Sequence, residues 1–270
     1  MRRSLLVGLS ALVSVGVAVP GVASPDDRRD RGRATLTGLA ALPASTFVPG
    51  SEPSGAALGT APVNGVVAPF ADQPVQGFSG VLRNADGTYD VLSDNGFGTK
   101  ANSADFALRV QRVAPDFGSG VVDVVGGITL TDPHGHVPFP LTRPDRVLTG
   151  ADPDVESIVR VADGSYWIGD EFGPYLLHFD RAGRLPAPPV PLPGVFAPEN
   201  PAGASNLGGS KGYEGLALSA GGRVLDALLE GTVAGGRGGH AAVERVRRAV
   251  GAVHREAVDL PVGPAGARDR

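Results

Sequence analysis

The sequence predicts an all-β, β-propeller-like fold with three recognisable blade-type repeats, incomplete, and a C-terminal tail foreign to them. Three observations predict it. The first is self-similarity: GFSGVLRNADGTYDVLSDNGFG (77–98), ESIVRVADGSYWIGDEFG (156–173) and GYEGLALSAGGRVLDALLEG (212–231) share one plan of apolar strand, Gly-centred turn, second apolar strand and acidic end. Repetition of a supersecondary unit at intervals of tens of residues marks an array architecture. The second is composition. Forty Gly and 24 Pro, with few aromatics, favour many short strands joined by turns. The third is the absence of any long helical period before the tail.

The elements follow in order. Residues 1–23 read as a secretory leader: Arg2 and Arg3 precede an apolar run from Leu5 to Val19, and Gly21-Val22-Ala23 offers a small-residue cleavage site. That run is shorter than the ~20 residues of a bilayer span. Residues 24–34 (SPDDRRDRGRA) form a mixed-charge, disordered linker. The folded part is expected over 35–231, with Thr35–Leu39 and Thr46–Val48 as its first short strands.

In repeat one, Gly80–Arg83 and Thr88–Leu92 flank Asp86-Gly87, a dipeptide that supplies the positive φ of a tight hairpin. Phe106–Val113 and Gly120–Leu130 follow as strands. Repeat two has Ser157–Val161, the turn Asp163-Gly164, Tyr166–Ile168, and Tyr175–Phe179. The Pro-rich segment from Pro186 to Pro201 is expected to cross the surface outside any sheet. Repeat three has Glu214–Leu218, the turn Gly221-Gly222, and Val224–Leu229. A β-sandwich also alternates strands in this way, but it supplies no reason for an acidic loop to recur.

After Gly231 the text changes. Residues 232–270 are rich in Ala, Val, Arg and Gly, carry no hairpin signal, and have a roughly helical period. They are expected as a divergent, disordered or helical tail. One account is a shifted reading frame near Thr232.

Charge narrows the functions. Residues 24–231 carry 15 basic and 24 acidic side chains, which excludes nucleic acid as a natural partner and suits bound cations. There is no cysteine, hence no disulfide, thiolate ligand or thiol nucleophile. No serine sits in a G-x-S-x-G elbow, which argues against a Ser-His-Asp esterase. Asp94, Glu156, Asp170, Glu171, Glu214 and Glu230 each stand at the start or end of a repeat strand. Units packed side by side would bring these six carboxylates to one face, where a divalent cation relieves their repulsion. The alternative is that they cap strands and accept from backbone N–H groups. Lys100 and Lys211, the only lysines, lie in Gly-rich loops beside these blocks, and with Arg83 they are candidates to bind phosphate. His134 and His136 read as a polar loop pair, His178 as a strand histidine, and Trp167 as a packing residue.

These residues resemble a known family. The run from Asp152 to Leu185 (DPDVESIVRVADGSYWIGDEFGPYLLHFDRAGRL) is similar to the signature of the phytase-like, "esterase-like activity of phytase" family. The segments 77–98 and 206–231 resemble two further blocks, so the likeness covers about 60–233. The resemblance implies a secreted or periplasmic propeller-like hydrolase of phosphate or carboxylic esters, with a divalent cation, Ca²⁺. Its substrate would be a small-molecule ester, with no nucleic-acid partner and no membrane attachment after leader cleavage. On that view Asp170, Glu171 and Glu214 are catalytic as well as cation-binding. Other readings are a non-catalytic extracellular binding propeller and a truncated, inactive family member. The family's Glu-Gly is Glu156-Ser157 here.

Overall fold

The computed structural model describes residues 35–62, 65–200 and 202–235, and the backbone of 241–249 and 252–260. The leader, the 24–34 linker and residues 261–270 lie outside the described residues. The chain divides into two units, Met1–Thr37 and Gly38–Arg270, and every strand belongs to the second. The described residues contain no helix, and so none that is long and apolar enough to cross a membrane.

A short pair, β1 (Phe47–Val48) with β2 (Gln73–Pro74), precedes three four-stranded sheets. The first sheet is β3 (Phe78–Arg83), β4 (Tyr89–Ser93), β5 (Arg109–Asp116) and β6 (Val121–Thr129). The second is β7 (Val155–Arg160), β8 (Tyr166–Asp170), β9 (Tyr175–Phe179) and β10 (Val190–Pro191). The third is β11 (Tyr213–Leu218), β12 (Val224–Leu229), β13 (Ala241–Ala249) and β14 (Ala252–Leu260). Each is an antiparallel meander in which chain order equals spatial order. The turns that join the first two strands are those the sequence predicts, with Gly87, Gly164 and Gly222 at φ of 90°, 83° and 65°.

Three expectations need correction. Thr35–Leu39 is irregular rather than a strand, since strand propensity becomes a strand only beside an edge that can pair. The Pro-rich segment does enter a sheet: Val190 and Pro191 pair with Leu176 and Tyr175 of β9. Proline is tolerated there because β10 is an outermost strand, where one N–H need not be donated inward. Finally, the tail forms strands over 241–249 and 252–260 rather than a helix or an irregular segment. β13 pairs with β12 from Val224↔Arg247 to Leu228↔Val243, and β14 folds back along β13. The spacing of Val243 and Val246 suits a helix, but an open edge on β12 outweighs that local preference.

The first strands of the three sheets lie next to one another, β7 between β3 and β11. No sheet closes on itself. Two apolar clusters fill the spaces between sheets. Leu92 and Val110 of the first sheet pack with Ile158, Ile168 and Leu177 of the second. Val159 and Leu176 of the second pack with Tyr213, Leu225 and Leu229 of the third. The middle sheet therefore packs apolar side chains on both faces, in keeping with the mainly apolar text of β8 and β9.

A polar clasp accompanies the first cluster. Asp90 of β4 is buried, and its Oδ1 accepts from Arg112 Nε at 2.7 Å and Asn84 Nδ2 at 3.0 Å. Its Oδ2 accepts from Arg112 Nη2 and Tyr166 OH, both at 3.0 Å, and from Arg160 Nη2. Arg160 and Tyr166 belong to β7 and β8, so one carboxylate ties the first two sheets together. Removing it would leave two guanidinium groups without their counter-ion. Asp90→Ala is expected to cost about 3 kcal/mol of folding free energy, as is typical when one partner of a buried pair is lost. Urea denaturation of the two proteins checks this, and a change within experimental error would deny the clasp its role.

Candidate functional site

The three meanders deliver side chains to one region by the same backbone device. In each first strand the pairing register slips by one residue: between Phe78 and Gly80, between Val155 and Ser157, and between Tyr213 and Gly215. The residue inside each bulge is Ser79, Glu156 or Glu214. A bulge re-aims the extra side chain out of the normal alternation. A second position repeats just beyond each second strand, where Asp94, Glu171 and Glu230 stand. Their amides donate to equivalent carbonyls: Asp94 to Gly77 at 3.2 Å, Glu171 to Asp154 at 2.8 Å, and Glu230 to Gly212 at 2.9 Å.

That correspondence reveals a residue that sequence reasoning missed. Asp154 occupies the column held by Gly77 and Gly212 in the other sheets, so the middle sheet contributes one carboxylate more than its neighbours. Aligning the repeats on their bulges, rather than on their turns, would have singled it out. Asn95 orients it, donating from its backbone to Oδ1 at 3.1 Å and from its side chain to Oδ2 at 2.9 Å.

Five acids form a continuous cluster. Asp154, Glu156 and Glu171 offer oxygens within 4.8 Å of one another, as do Glu171, Glu214 and Glu230. Glu171 belongs to both groups. It is 4% exposed, and its Oε1 has no hydrogen-bond partner. Gly212 permits this arrangement: a Cβ there would lie 2.4 to 2.7 Å from the backbone of Glu171. The start of β11 can approach the Glu171 loop only because residue 212 has no side chain.

Burial and crowding hold protons on two of the five. Burial, then a hydrogen bond donated to Glu230, then the charges of Glu156, Asp154 and Glu214 push the Glu171 carboxyl up to about 9. Burial pushes Glu156 up to about 8, reinforced by Asp154, Asp94 and Glu214 and opposed by a hydrogen bond from Ser79. Burial also raises Asp154, against hydrogen bonds from Asn95 and Glu156. Glu230 is lowered by the hydrogen bond from Lys211, with which it forms an ion pair. The cluster thus rests as two proton-sharing pairs, Glu171 with Glu230 and Glu156 with Asp154.

The remaining candidates fall into distinct places. Asp94 lies close enough to act electrostatically on Asp154 and Glu156, while its Oδ1 accepts from the Gly96 amide at 2.7 Å. Burial raises its carboxyl. Asp170 belongs to neither acidic group. Its oxygens accept from the amides of Asp154 and Gly173 at 2.8 Å and Phe172 at 3.1 Å, so it shapes the loop that carries Glu171. Burial lifts it to about 7 in spite of those bonds. This is the backbone-binding alternative, realised at Asp170 and, through the Gly96 amide, at Asp94. Lys211 sits beside Glu230, and Lys100 lines a pocket with Phe139, Asp152, Asp170 and Phe172. Arg83 is not brought to the cluster. It ends β3 at the hairpin turn, paired with Tyr89, five residues from the end that carries Ser79.

His134 and His136 are neighbours in a loop, with ring centres 5.7 Å apart, and belong to neither acidic group. His178 stacks on Trp167 at 4.7 Å and meets Ser165 Oγ at 2.9 Å. Ser165 donates to Asp163 at 2.6 Å, so its hydroxyl proton is not directed at the histidine as a nucleophile's would be.

The comparisons can now be set beside this geometry. The family model described as "Phytase-like: Esterase-like activity of phytase" matches residues 73–259. The chain belongs to this family. The match runs past residue 233, where the motif likeness stops, through β13 and nearly all of β14, so the phytase-like domain includes the strands of the tail. An uncharacterized secreted protein of Arthroderma benhamiae is 31% identical over 100 residues, covering 28% of this chain and 19% of that protein. The chain thus aligns with about a fifth of that curated relative's length.

The raised carboxyls set the pH behaviour of this phytase-like domain without a cation. Free Glu carboxyls titrate near 4.5, and in the fold Glu156 and Glu171 titrate near 8 and 9. Their protonated forms favour folding, fully below the unfolded value, and that contribution is lost as pH rises through the folded values. In chelator, the melting temperature is expected to fall by several degrees between pH 5 and pH 9, and added Ca²⁺ is expected to reverse the fall at the alkaline end. A flat profile with no response to cation would contradict the crowding.

Proposed function

We propose that this domain is a secreted, propeller-like hydrolase of phosphate or carboxylic esters that uses a divalent cation, Ca²⁺, held by Asp154, Glu156, Glu171 and Glu214, with Asp94 and Glu230 at the margin. The observation that carries the reading is the buried, unpartnered Oε1 of Glu171 at the junction of two acidic groups. A buried carboxylate oxygen without a donor is costly unless something positive reaches it. The donor set is all oxygen and fits a hard cation that takes six to eight oxygen ligands. A divalent ion there would polarise an ester or phosphoryl oxygen and lower the pKa of a bound water.

The protein's own residues supply the rest. Asn95 orients Asp154, and the amides around Asp170 hold the Glu171 loop. Lys211 keeps Glu230 ionised. Without a cation Glu171 and Glu156 hold protons near neutrality, and a cation bound by them would displace those protons. Asp170 serves in this scheme as a positioning residue for Glu171, and Lys100 is the cation placed to meet an anionic substrate. The propeller-like architecture is supported by three in-order meanders whose first strands adjoin. Secretion is supported by the leader-like N-terminus and the secreted relative.

Turnover of p-nitrophenyl phosphate and p-nitrophenyl acetate, with and without chelator, tests the reading. Chelator-sensitive turnover is expected, and Glu171→Gln is expected to weaken Ca²⁺ binding by more than about tenfold, a loss that even outer-shell changes can reach. Cation-dependent melting without turnover on either ester would favour the non-catalytic binding module instead.

A further inference from the structure

We infer that the pocket beside the acidic cluster binds one anionic group attached to a flat apolar ring, with Lys100 as its single cation, and that it rejects polyanions. The pocket has a volume of about 450 Å³ and is walled by Phe139, Leu141, Phe172 and Tyr175. It is lined by Asp170 and Phe172, the residues on either side of Glu171. The Lys100 ammonium stands over the Phe172 ring at 4.8 Å and near the Phe139 ring at 5.7 Å.

Most other part-buried cations meet a carboxylate; Arg109, which donates to Thr129 Oγ1 at 2.7 Å, does not, but it does not line this pocket. Arg112 and Arg160 share Asp90, Arg146 pairs with Asp132, Arg143 with Glu52 and Asp145, and Lys211 with Glu230. Among the described residues, the Lys100 ammonium has a hydrogen bond to one neutral acceptor, the Asp152 carbonyl, at 3.0 Å. The Asp152 carboxylate is itself occupied, accepting from the amide and hydroxyl of both Thr142 and Thr149. A half-buried ammonium with spare donors and no contacting carboxylate, set in an open pocket, is a site for an anion brought by a ligand. The aromatic walls fit a planar ring beside that anion. A second, mostly apolar pocket of about 320 Å³ shares Tyr175 and Asn200 with the first and extends toward Pro188–Phe196, leaving room for an apolar arm.

The same surroundings reject a second anionic group. Asp152, Asp154, Asp170 and Glu199 all act on Lys100, and no other cation among the described residues lines the pocket. Any further phosphate on the ligand would face carboxylates alone. That such a ligand is the substrate rests on the hydrolase reading above; that it binds does not.

Calorimetric titration of the full chain, stripped with chelator and dialysed, tests this with phenyl phosphate, benzoate, inorganic phosphate and inositol hexakisphosphate. Phenyl phosphate or benzoate is expected to bind with one-to-one stoichiometry, and which of them binds more tightly distinguishes a phosphate from a carboxylate ligand. Inorganic phosphate and the hexakisphosphate are expected to bind at least tenfold more weakly. Lys100→Met is expected to cost about ten- to a hundredfold in affinity for the ring-bearing anions, the worth of a charged hydrogen bond, and Lys100→Arg to recover most of it. If Lys100→Met does not fold, competition on the unmodified protein decides: benzoate should displace phenyl phosphate and the hexakisphosphate should not. Tightest binding by the hexakisphosphate, no binding by either ring-bearing anion, or unaltered affinity in folded Lys100→Met would overturn the inference. Cation-dependent turnover alongside tightest hexakisphosphate binding would leave the hydrolase reading intact, whereas ring-anion binding without turnover would remove that reading and leave the pocket.

Discussion

Five carboxyl groups brought within contact of one another cannot all ionise, and the rest of the structure is organised around that conflict. Glu171, at its centre, has one oxygen shared with Glu230 and one with no partner. Protons answer the conflict in the absence of a cation, and a cation would answer it better, because it removes the repulsion and satisfies the orphaned oxygen at once. The apolar clusters on both faces of the middle sheet are what oblige the acids to stay. The first strands of the sheets are pinned side by side by Ile158, Leu92, Val159 and Tyr213, so the bulged residues on those strands have no freedom to separate.

The bulge is the local structure that turns a repeat into a site. In a regular strand Glu156 and Glu214 would follow the strict alternation of the pleat. The inserted residue breaks that alternation at the same point in each sheet, and the first sheet carries Ser79 in the same place. The cluster is consequently lopsided: the first sheet lends a hydroxyl and Asp94, while the second and third supply five carboxylates between them. Beside it, Asp170 and Asp152 show what an acid looks like when it serves the fold. Each has its lone pairs occupied by nearby donors, three backbone amides in one case and two threonines in the other.

Much of this was legible before any coordinates. The turns at Gly87, Gly164 and Gly222 were readable because a positive φ leaves few residue choices. Ten of the fourteen described strands, β1, β3 to β9, β11 and β12, fall on segments whose apolar or alternating pattern reads as strand. The recurrence of an acid at repeat ends pointed to Glu156, Glu171, Glu214 and Glu230. The tail was misread because its helical spacing is a local signal, whereas its pairing with β12 is not. Asp154 was missed because its neighbours in the repeat are glycines, and a column of unlike residues leaves no trace in a search for like ones. Arg83 was grouped with the site because it lies on a strand near these loops, and it stands at the hairpin end of that strand, opposite the end that carries Ser79.

By itself, then, the chain's text determined the β class, the turn positions and the acidic character of the repeat ends, since each depends on backbone geometry or side-chain type within a few residues. Which acids meet was decided by the tertiary structure alone. Convergence of Asp154, Glu156, Glu171, Glu214 and Glu230 requires three sheets to pack with their first strands adjoining, a glycine at 212 to allow close approach, and bulges to aim the side chains. The same holds for Lys100, whose lack of a contacting carboxylate is a fact about space rather than spacing: the acids that act on it are 52 residues or more along the chain, and Asp152 and Asp170 among them have their oxygens taken by threonines and amides.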